Sequence, residues 1–231
     1  MHRSGLISLA VLAVFPTTIG ATINNPKLDS GEKSITKVCV LPIEAEWAKV
    51  GIKAHEGMAK EADEWSTRME EVVLGLVREA GAETFPALQD PAQATEADKQ
   101  IVLQVSQKYD SVATQLHSKP KEVRKGRYTL GDEVALLPCS AKADALLFLH
   151  SSGSILTGGK KAFGMLVGGQ ANSSARLYMS FVDAQTGDIL AFTTIDRAGD
   201  KFRKDPEAVY RGVLTKDFQK MRIGTAATGK K

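Results

Sequence analysis

Two continuous apolar stretches predict the strands at the centre of a sheet. Residues 35–43 contain four consecutive apolar positions from Val38 to Leu41, and residues 144–150 carry a similar run from Ala145 to Leu149. Strands that are apolar without alternation are typical of sheets covered on both faces. We therefore expect both segments to be central strands.

Apolar residues at helical spacing predict four helices. Thr67 and Glu70 form a capping-box pattern that starts the first helix, which Gly81 ends. Thr95 starts the second helix, a shorter third one covers 131–143, and Pro206 opens the last. Residues 44–65 show no clear period and are expected to be loop or broken helix. The apolar stripes of the three longer helices are Met69, Val72, Val73, Leu76, Val77 and Ala80; Ile101, Val105, Tyr109, Val112 and Leu116; and Val209, Tyr210, Val213, Leu214, Phe218 and Met221.

A β-hairpin is the clearest feature of the chain. The runs 175–182 and 189–195 are joined by six residues, and Gly187 can adopt the positive φ that such a turn requires. Leu177, Met179 and Phe181 alternate with other residues, so one face is apolar. The order of elements predicts one α/β (α+β) domain, a mixed β-sheet of about five strands with helices packed on it.

The first 21 residues have the pattern of a cleavable secretion signal. Arg3 precedes an apolar run of about ten residues, which is too short for a permanent membrane span. Cleavage after Gly20 and after Ala21 both fit. We expect a signal peptide at 1–21, a linker at 22–34, the domain at 35–222 and a disordered tail at 223–231. The mature protein is then periplasmic or secreted, with no membrane span.

The charge balance argues against nucleic-acid binding, and the cysteine content allows one disulfide. The 30 basic and 27 acidic residues nearly balance, whereas nucleic-acid binding needs a concentrated basic surface. The basic stretch from Lys119 to Arg127 is interpreted as a solvated connector. Cys39 and Cys139 are the two cysteines. In an oxidising compartment they can form a disulfide, and the alternative is two buried thiols.

Few residues have the spacing of a nucleotide-binding, metal-binding or catalytic site. Five residues separate Gly153 from the Gly159-Lys160 pair, where a phosphate-binding loop requires four. The histidines are dispersed, so neither a metal nor a cofactor site is expected. The exception is His150, which ends a central strand, because functional residues collect at the carboxyl ends of strands in α/β sheets.

A hydrolase site at His150 is therefore kept as an alternative. Glu44 and Glu46 follow the first central strand, and Ser152 follows His150. If the two strands are neighbours, His150 could act with Glu44 or Ser152. The simpler interpretation is a half-exposed histidine that hydrogen-bonds at the end of a strand.

The Gly- and Ser-rich segment 151–174 contains an apolar island. Phe163, Met165, Leu166 and Val167 either fold back as ordinary core or form an apolar tip that anchors a partner. We keep these four residues as a candidate interface.

Two local stretches carry a resemblance to known families. They are Asp144-Ala145-Leu146-Leu147-Phe148-Leu149 and residues 177–189, with the Val182-Asp183-Ala184-Gln185-Thr186-Gly187 turn, and they follow a first strand, Lys37-Val38-Cys39-Val40-Leu41-Pro42, of the same kind. The chain resembles bacterial periplasmic domains related to the curli-secretion lipoprotein, the penicillin-binding-protein activator lipoprotein and the amino-terminal domain of the Tol-system propeller protein. The resemblance implies a mixed-sheet domain that docks onto other envelope components.

We therefore expect an exported bacterial envelope accessory protein. It would act by protein–protein docking onto other envelope proteins or by self-association, without catalysis. A small-ligand or glycan-binding periplasmic module is the second alternative, and the His150 hydrolase is the third.

Overall fold

A mixed sheet of eight strands organises the described part of the chain in the computed structural model. The structure describes residues 22–50, 55–90, 92–157, 173–198 and 206–225. The predicted fold class, a single α+β domain with helices on a mixed sheet, is confirmed, with eight strands in place of about five. The strands are β1 (Ile23–Asn24), β2 (Lys37–Val40), β3 (Glu44–Val50), β4 (His55–Gly57), β5 (Glu83–Pro86), β6 (Ala145–Leu156), β7 (Ser174–Asp183) and β8 (Ile189–Ala198). The helices are α1 (Pro26–Asp29), α2 (Ala59–Glu79), α3 (Glu96–Ser118) and α4 (Pro206–Lys220).

Strand β6 is the axis of the sheet, whose main order is β1-β8-β7-β6-β2-β5. Strands β6, β7 and β8 pair antiparallel, and β2 pairs in parallel with both β5 and β6. Strand β3 also pairs in parallel with β6, along its second half, and β4 pairs antiparallel with β3. The long β6 is therefore flanked on one side by β2 and then by β3, with Pro42 between these two.

The two faces of the sheet bury different cores. Leu147, Leu149, Met179 and Phe181 lie on the face covered by α2 and α4, which we call the α2/α4 face. Leu146 and Phe148 lie on the opposite face, covered by α3, which we call the α3 face. Neighbouring residues of β6 thus enter opposite cores, as the two-residue period of a strand requires.

A disulfide joins Cys39 to Cys139 within the core of the α3 face. The two Cα atoms lie 6.0 Å apart, within the range that a disulfide spans, so the predicted bridge is confirmed. The third predicted helix, over 131–143, is wrong. A short 3-10 helix, Asp132–Leu136, is followed by turns that contain Pro138 and Cys139, because Pro138 removes a backbone donor that a longer helix would need.

Residues 22–34, expected to be a linker, are instead packed on the sheet. Ile23 pairs with Phe192 of β8, and Leu28 of α1 is buried. The side chain of Asn25 accepts a hydrogen bond from the Lys27 N–H and so caps α1, which begins at Pro26.

The carboxyl end also departs from expectation. Ile223 is buried and bridges to Ile35, so the predicted tail from 223 begins inside the domain. The remainder of that tail, 226–231, and the predicted signal peptide at 1–21 lie outside the described residues.

The segment 44–65 was expected to be loop or broken helix, but its described residues form regular secondary structure. It forms β3, β4 and the start of α2. Thr67 lies in the middle of α2, where its hydroxyl donates to the Asp63 carbonyl, so the predicted capping box at Thr67 and Glu70 is wrong.

Candidate functional site

A cleft opens on the α3 face where the second half of α3 passes over β3, β6 and β7. Its volume is about 300 Å³, which is at the lower end for small-molecule sites. We call it the α3–sheet cleft. It is lined by Glu46, Asp110, Ala113, Thr114, His117, His150 and Tyr178.

The helical side of the cleft follows from the spacing of residues along α3. Asp110, Thr114 and His117 are separated by four and then three residues, so they lie along one side of the helix. The adjacent Tyr109 holds this part of α3 on the sheet. Its ring stacks on Phe148 with centroids 4.3 Å apart, and its hydroxyl is 2.8 Å from the Ser180 hydroxyl.

Tyr109 is a structural residue rather than part of the cleft's chemistry. Complete burial raises the pKa of the Tyr109 phenol well above its ordinary value, although the Ser180 hydrogen bond opposes the shift. The phenol therefore stays neutral.

The sheet side of the cleft is built from aromatic rings. His150 of β6 and Tyr178 of β7 are directly opposite each other in the antiparallel register, with ring centroids 6.2 Å apart. His117 of α3 contacts Tyr178 edge to face, at 5.3 Å between centroids and an interplanar angle of 79°. Tyr178 thus lies between the two histidines.

The ring of Tyr178 is held by further contacts. Phe192 of β8 stacks nearly parallel to it at 6.4 Å, and the Arg176 guanidinium lies over the ring, 5.8 Å from the centroid. Arg176 is in turn paired with Asp196, whose carboxylate raises the pKa of the guanidinium. The positive charge of Arg176 is therefore already compensated.

The structure brings the sequence-predicted residues of the hydrolase alternative to neighbouring positions. In the parallel β3–β6 register, Glu44 is opposite His150 and Glu46 is opposite Ser152. However, His150 and Ser152 are two residues apart on one strand, a spacing of about 6.6 Å. A general base must come within about 3 Å of the proton that it removes, so this spacing does not support activation of Ser152 by His150.

Sequence reasoning missed several residues of the cleft. The histidines are dispersed along the chain and predict no joint site, yet the structure places His117 in the same cleft as His150. Its spacing from Asp110 on the polar flank of an amphipathic helix was the available signal. Conversely, the candidate interface residues Phe163, Met165, Leu166 and Val167 lie outside the described residues.

A second cleft of about 300 Å³ lies beside the disulfide, between the end of β5 and the turn that holds Cys139. Two of its carboxylates already stabilise local structure. Asp98 completes a capping box with Thr95, and Asp90 accepts a hydrogen bond from the Ala92 N–H. The α3–sheet cleft is therefore the stronger candidate for ligand recognition.

The described residues also bear on membrane and metal interactions. None of their helices is both long and apolar enough to cross a membrane. In the same ranges, histidine, cysteine, aspartate and glutamate side chains form no group of three or more that could hold a metal ion.

Comparisons with known proteins give structural neighbours of low sequence identity. No protein-family model and no curated protein matches the chain. The PelC dodecamer from Paraburkholderia phytofirmans is 14% identical over 88% of this chain and 96% of that one, with a TM-score of 0.40. A neuraminyllactose-binding hemagglutinin homolog from Helicobacter pylori is 12% identical over 82% and 91%, with a TM-score of 0.41. The lipoprotein GNA1162 from Neisseria meningitidis is 13% identical over 80% and 99%, with a TM-score of 0.34.

These scores are too low for the names to bear on the function of this chain. The resemblance to the three envelope families therefore stays an expectation from the sequence.

Proposed function

We propose that this chain is an exported, non-catalytic accessory protein of the bacterial envelope that docks a partner in the α3–sheet cleft. The observation that carries the proposal is the cleft itself, an open volume walled by three aromatic rings and two carboxylates from four different elements. Sites that combine apolar or aromatic walls with a few polar groups are typical of binding pockets.

The walls of the cleft pack against the buried core of the α3 face, and this rigid packing favours ligand recognition. The ring of Tyr109 stacks on Phe148 beneath α3, and the disulfide of Cys39 fixes a turn to the same core. Rigid support lowers the entropy that a protein loses when it orders its binding groups around a ligand.

The proposal favours binding over hydrolysis because of the spacing on β6. His150 and Ser152 stand side by side rather than in hydrogen-bond reach, as two residues of one strand face must. The exported part of the proposal is supported by the disulfide of Cys39 with Cys139, which suits an oxidising compartment.

A photo-crosslinking experiment tests the proposal in intact envelopes. A benzophenone amino acid replaces Thr114, which is exposed and lines the cleft. The matched control places it at Gln104, which is also exposed but lies on the other flank of α3. We expect a discrete crosslinked species from position 114 and none from position 104.

Two results would contradict the proposal. Equal crosslinking from both positions would show that the partner does not bind preferentially in the cleft. Hydrolysis of an ester or phosphoester substrate that is lost in a folded His150→Ala variant would establish the enzyme alternative instead.

A further inference from the structure

We infer that a short basic helix after α3 docks the domain onto the anionic phospholipid surface of a membrane. It is the 3-10 helix Pro120–Lys125, which we call the basic helix. This inference rests on the exported part of the proposed function and not on the α3–sheet cleft. Three observations support it: the spacing of the cations, the shortage of carboxylates around them, and the position of the helix beside β1.

The basic helix holds its charges at fixed positions. The sequence indicated a solvated connector over 119–127, but the structure forms a 3-10 helix that ends at Gly126, whose φ is 62°. Val123 is only 1% exposed and belongs to the core of the α3 face. Because this side chain anchors the helix, the cations next to it are presented by a packed element of the domain.

The three-residue period of the basic helix separates its side chains by type. Residues three apart lie on the same side of a 3-10 helix. Pro120 and Val123 share one side, and they are half-buried and buried. Lys121 and Arg124 share a second side, and both are exposed. Two cations therefore lie next to each other on a side that faces solvent.

Carboxylates compensate only part of the charge of this segment. Residues 119–127 contain five basic residues and one acidic residue. The acidic residue, Glu122, forms ion pairs with both Lys125 and Arg127. Three cations have no ion-pair partner within the described part of the chain: Lys119, Lys121 and Arg124.

A carboxylate on the neighbouring turn is also already paired. Thr129, three residues beyond Gly126, bridges to Asp188 just before β8. The Asp188 carboxylate lies 2.8 Å from the Lys27 ammonium. It therefore does not offset the unpaired cations, which keep their attraction for anions.

The basic helix lies beside the amino end of the described chain. A Cβ atom placed on Gly126 would be 3.7 Å from the side-chain nitrogen of Asn25, the residue that follows β1. Two residue steps, roughly 7 Å when extended, join Ala21 to Ile23 of β1. Because segment 1–21 has the pattern of a secretion signal, the chain leaves the membrane on the side of the basic helix. This position favours a membrane surface over a soluble anion as the partner.

The three unpaired cations suit the phosphate groups of an anionic bilayer. Lysine and arginine donate charge-assisted hydrogen bonds to phosphate oxygens. Each such residue near an anionic membrane surface strengthens binding about fivefold. The attraction falls off within a Debye length, so it weakens as salt is added.

The test is co-sedimentation of the mature protein with vesicles of phosphatidylglycerol and phosphatidylcholine in equal amounts. We expect salt-sensitive binding to these vesicles and none to vesicles of phosphatidylcholine alone. Lys121→Gln combined with Arg124→Gln should weaken binding about 25-fold, because two of the unpaired cations are lost. Both side chains are exposed, so the thermal melt of this variant should match that of the natural protein.

The matched control removes the same net charge from another surface. Arg68→Gln combined with Lys216→Gln changes exposed residues of α2 and α4, which cover the opposite face of the sheet. We expect this variant to bind the mixed vesicles within about twofold of the natural protein, because attraction to the membrane surface falls off within a Debye length.

Four results would overturn the inference. They are absent binding to the mixed vesicles, equal binding to neutral vesicles, equal weakening in the two double variants, and tighter binding to the acidic polysaccharide alginate than to the vesicles. Soluble glycerol 3-phosphate, added at constant ionic strength, distinguishes a bilayer surface from a site for one phosphate group. Displacement of the protein from the vesicles by this compound would also overturn the inference. The crosslink from position 114 tests the cleft separately, so it should persist in the Lys121 and Arg124 variant if the proposed function is correct.

Discussion

The two faces of strand β6 differ in how far their helical cover extends. On the α2/α4 face, burial continues from Leu147 and Leu149 to Ser151, and Trp47 of β3 then covers Gly153. On the α3 face, Leu146 and Phe148 are buried, but His150 and Ser152 are only half-buried. One strand therefore supplies a closed core on one side and the floor of an open cleft on the other.

This difference shows how a single strand can combine stability and recognition. The residues that face α2 and α4 contribute to folding along the whole of β6, so the α3 face can expose polar groups at its far end. Substitutions on the two faces test this division.

The largest effect is expected from the disulfide, which stabilises the closed part of the α3 face. Cys39 and Cys139 are separated by 100 residues, and closing a loop of that length stabilises the folded state by about 4.7 kcal/mol in the chain-entropy model. Replacing both cysteines with alanine should lower the free energy of unfolding by about that amount, measured by urea denaturation. An unchanged denaturation midpoint would contradict this assignment.

Leu149→Ala tests whether the buried core on the α2/α4 face extends to this part of β6. Leu149 is buried and belongs to the same core as Met179 and Val73. Removing its side chain should lower the free energy of unfolding by about 3 kcal/mol, since a buried leucine loses both transfer energy and packing. A loss under about 1 kcal/mol would show that this end of the face is not closed core.

Gly153→Ala tests the cover that Trp47 provides further along β6. A Cβ atom added at Gly153 would overlap the Trp47 ring, and neither the buried ring nor the paired strand can move freely. The variant should lose about 2 kcal/mol of stability, the usual scale of overpacking. Its tryptophan fluorescence should also change, whereas a Ser154→Ala variant should leave that fluorescence unaltered.

Asp183→Asn probes the turn that joins β7 to β8 and so supports both faces. Burial alone would raise the pKa of Asp183, but the Lys33 ion pair and the N–H groups of Thr186 and Gln185 lower it below its ordinary value. Its stabilisation is therefore complete above about pH 4 and is lost as the pH falls through the depressed pKa. The substitution should cost about 1–2 kcal/mol at pH 7.

The pH dependence provides the control for this change. The difference in unfolding free energy between the natural protein and the variant should be constant from pH 5 to pH 8 and shrink below about pH 4. A difference that stayed constant into the acid range would mean that the ion pair does not contribute.

The sequence predicted best those elements whose signal is local. The apolar runs of β2 and β6 reflect burial on both faces, and Gly187 has the positive φ, 72°, that its turn required. Strand β3 was missed because the alternation of Glu44, Ala45, Glu46 and Trp47 is short and breaks at Ala48, and its pairing with β6 completes the strand. Such pairing depends on residues about 100 positions away, which no local window contains.

The candidate site was predictable only in part for the same reason. Glu46 and His150 could be linked by the rule that strand ends meet at one edge of a sheet, on the condition that their strands are neighbours. His117 and Tyr178 join them through the packing of α3 across the sheet, which depends on Tyr109 and its contact with Phe148. Nothing in the spacing of these residues along the chain specifies that crossing.

The smallest effect on stability is expected at His150, the first residue beyond the closed part of the α3 face. It is the immediate neighbour of Leu149 on β6, yet it is half-buried and lines the cleft. His150→Ala should therefore cost only about 1 kcal/mol, the scale of one hydrogen bond, compared with about 3 kcal/mol for Leu149→Ala. The crosslink from position 114 should weaken in the His150 variant, because one wall of the cleft is removed, and should persist in any folded Leu149 variant. Thermal melts and crosslinking of the two variants measure both differences. Equal losses of stability at these adjacent positions would show that the two faces of β6 are equally closed and that His150 belongs to the core.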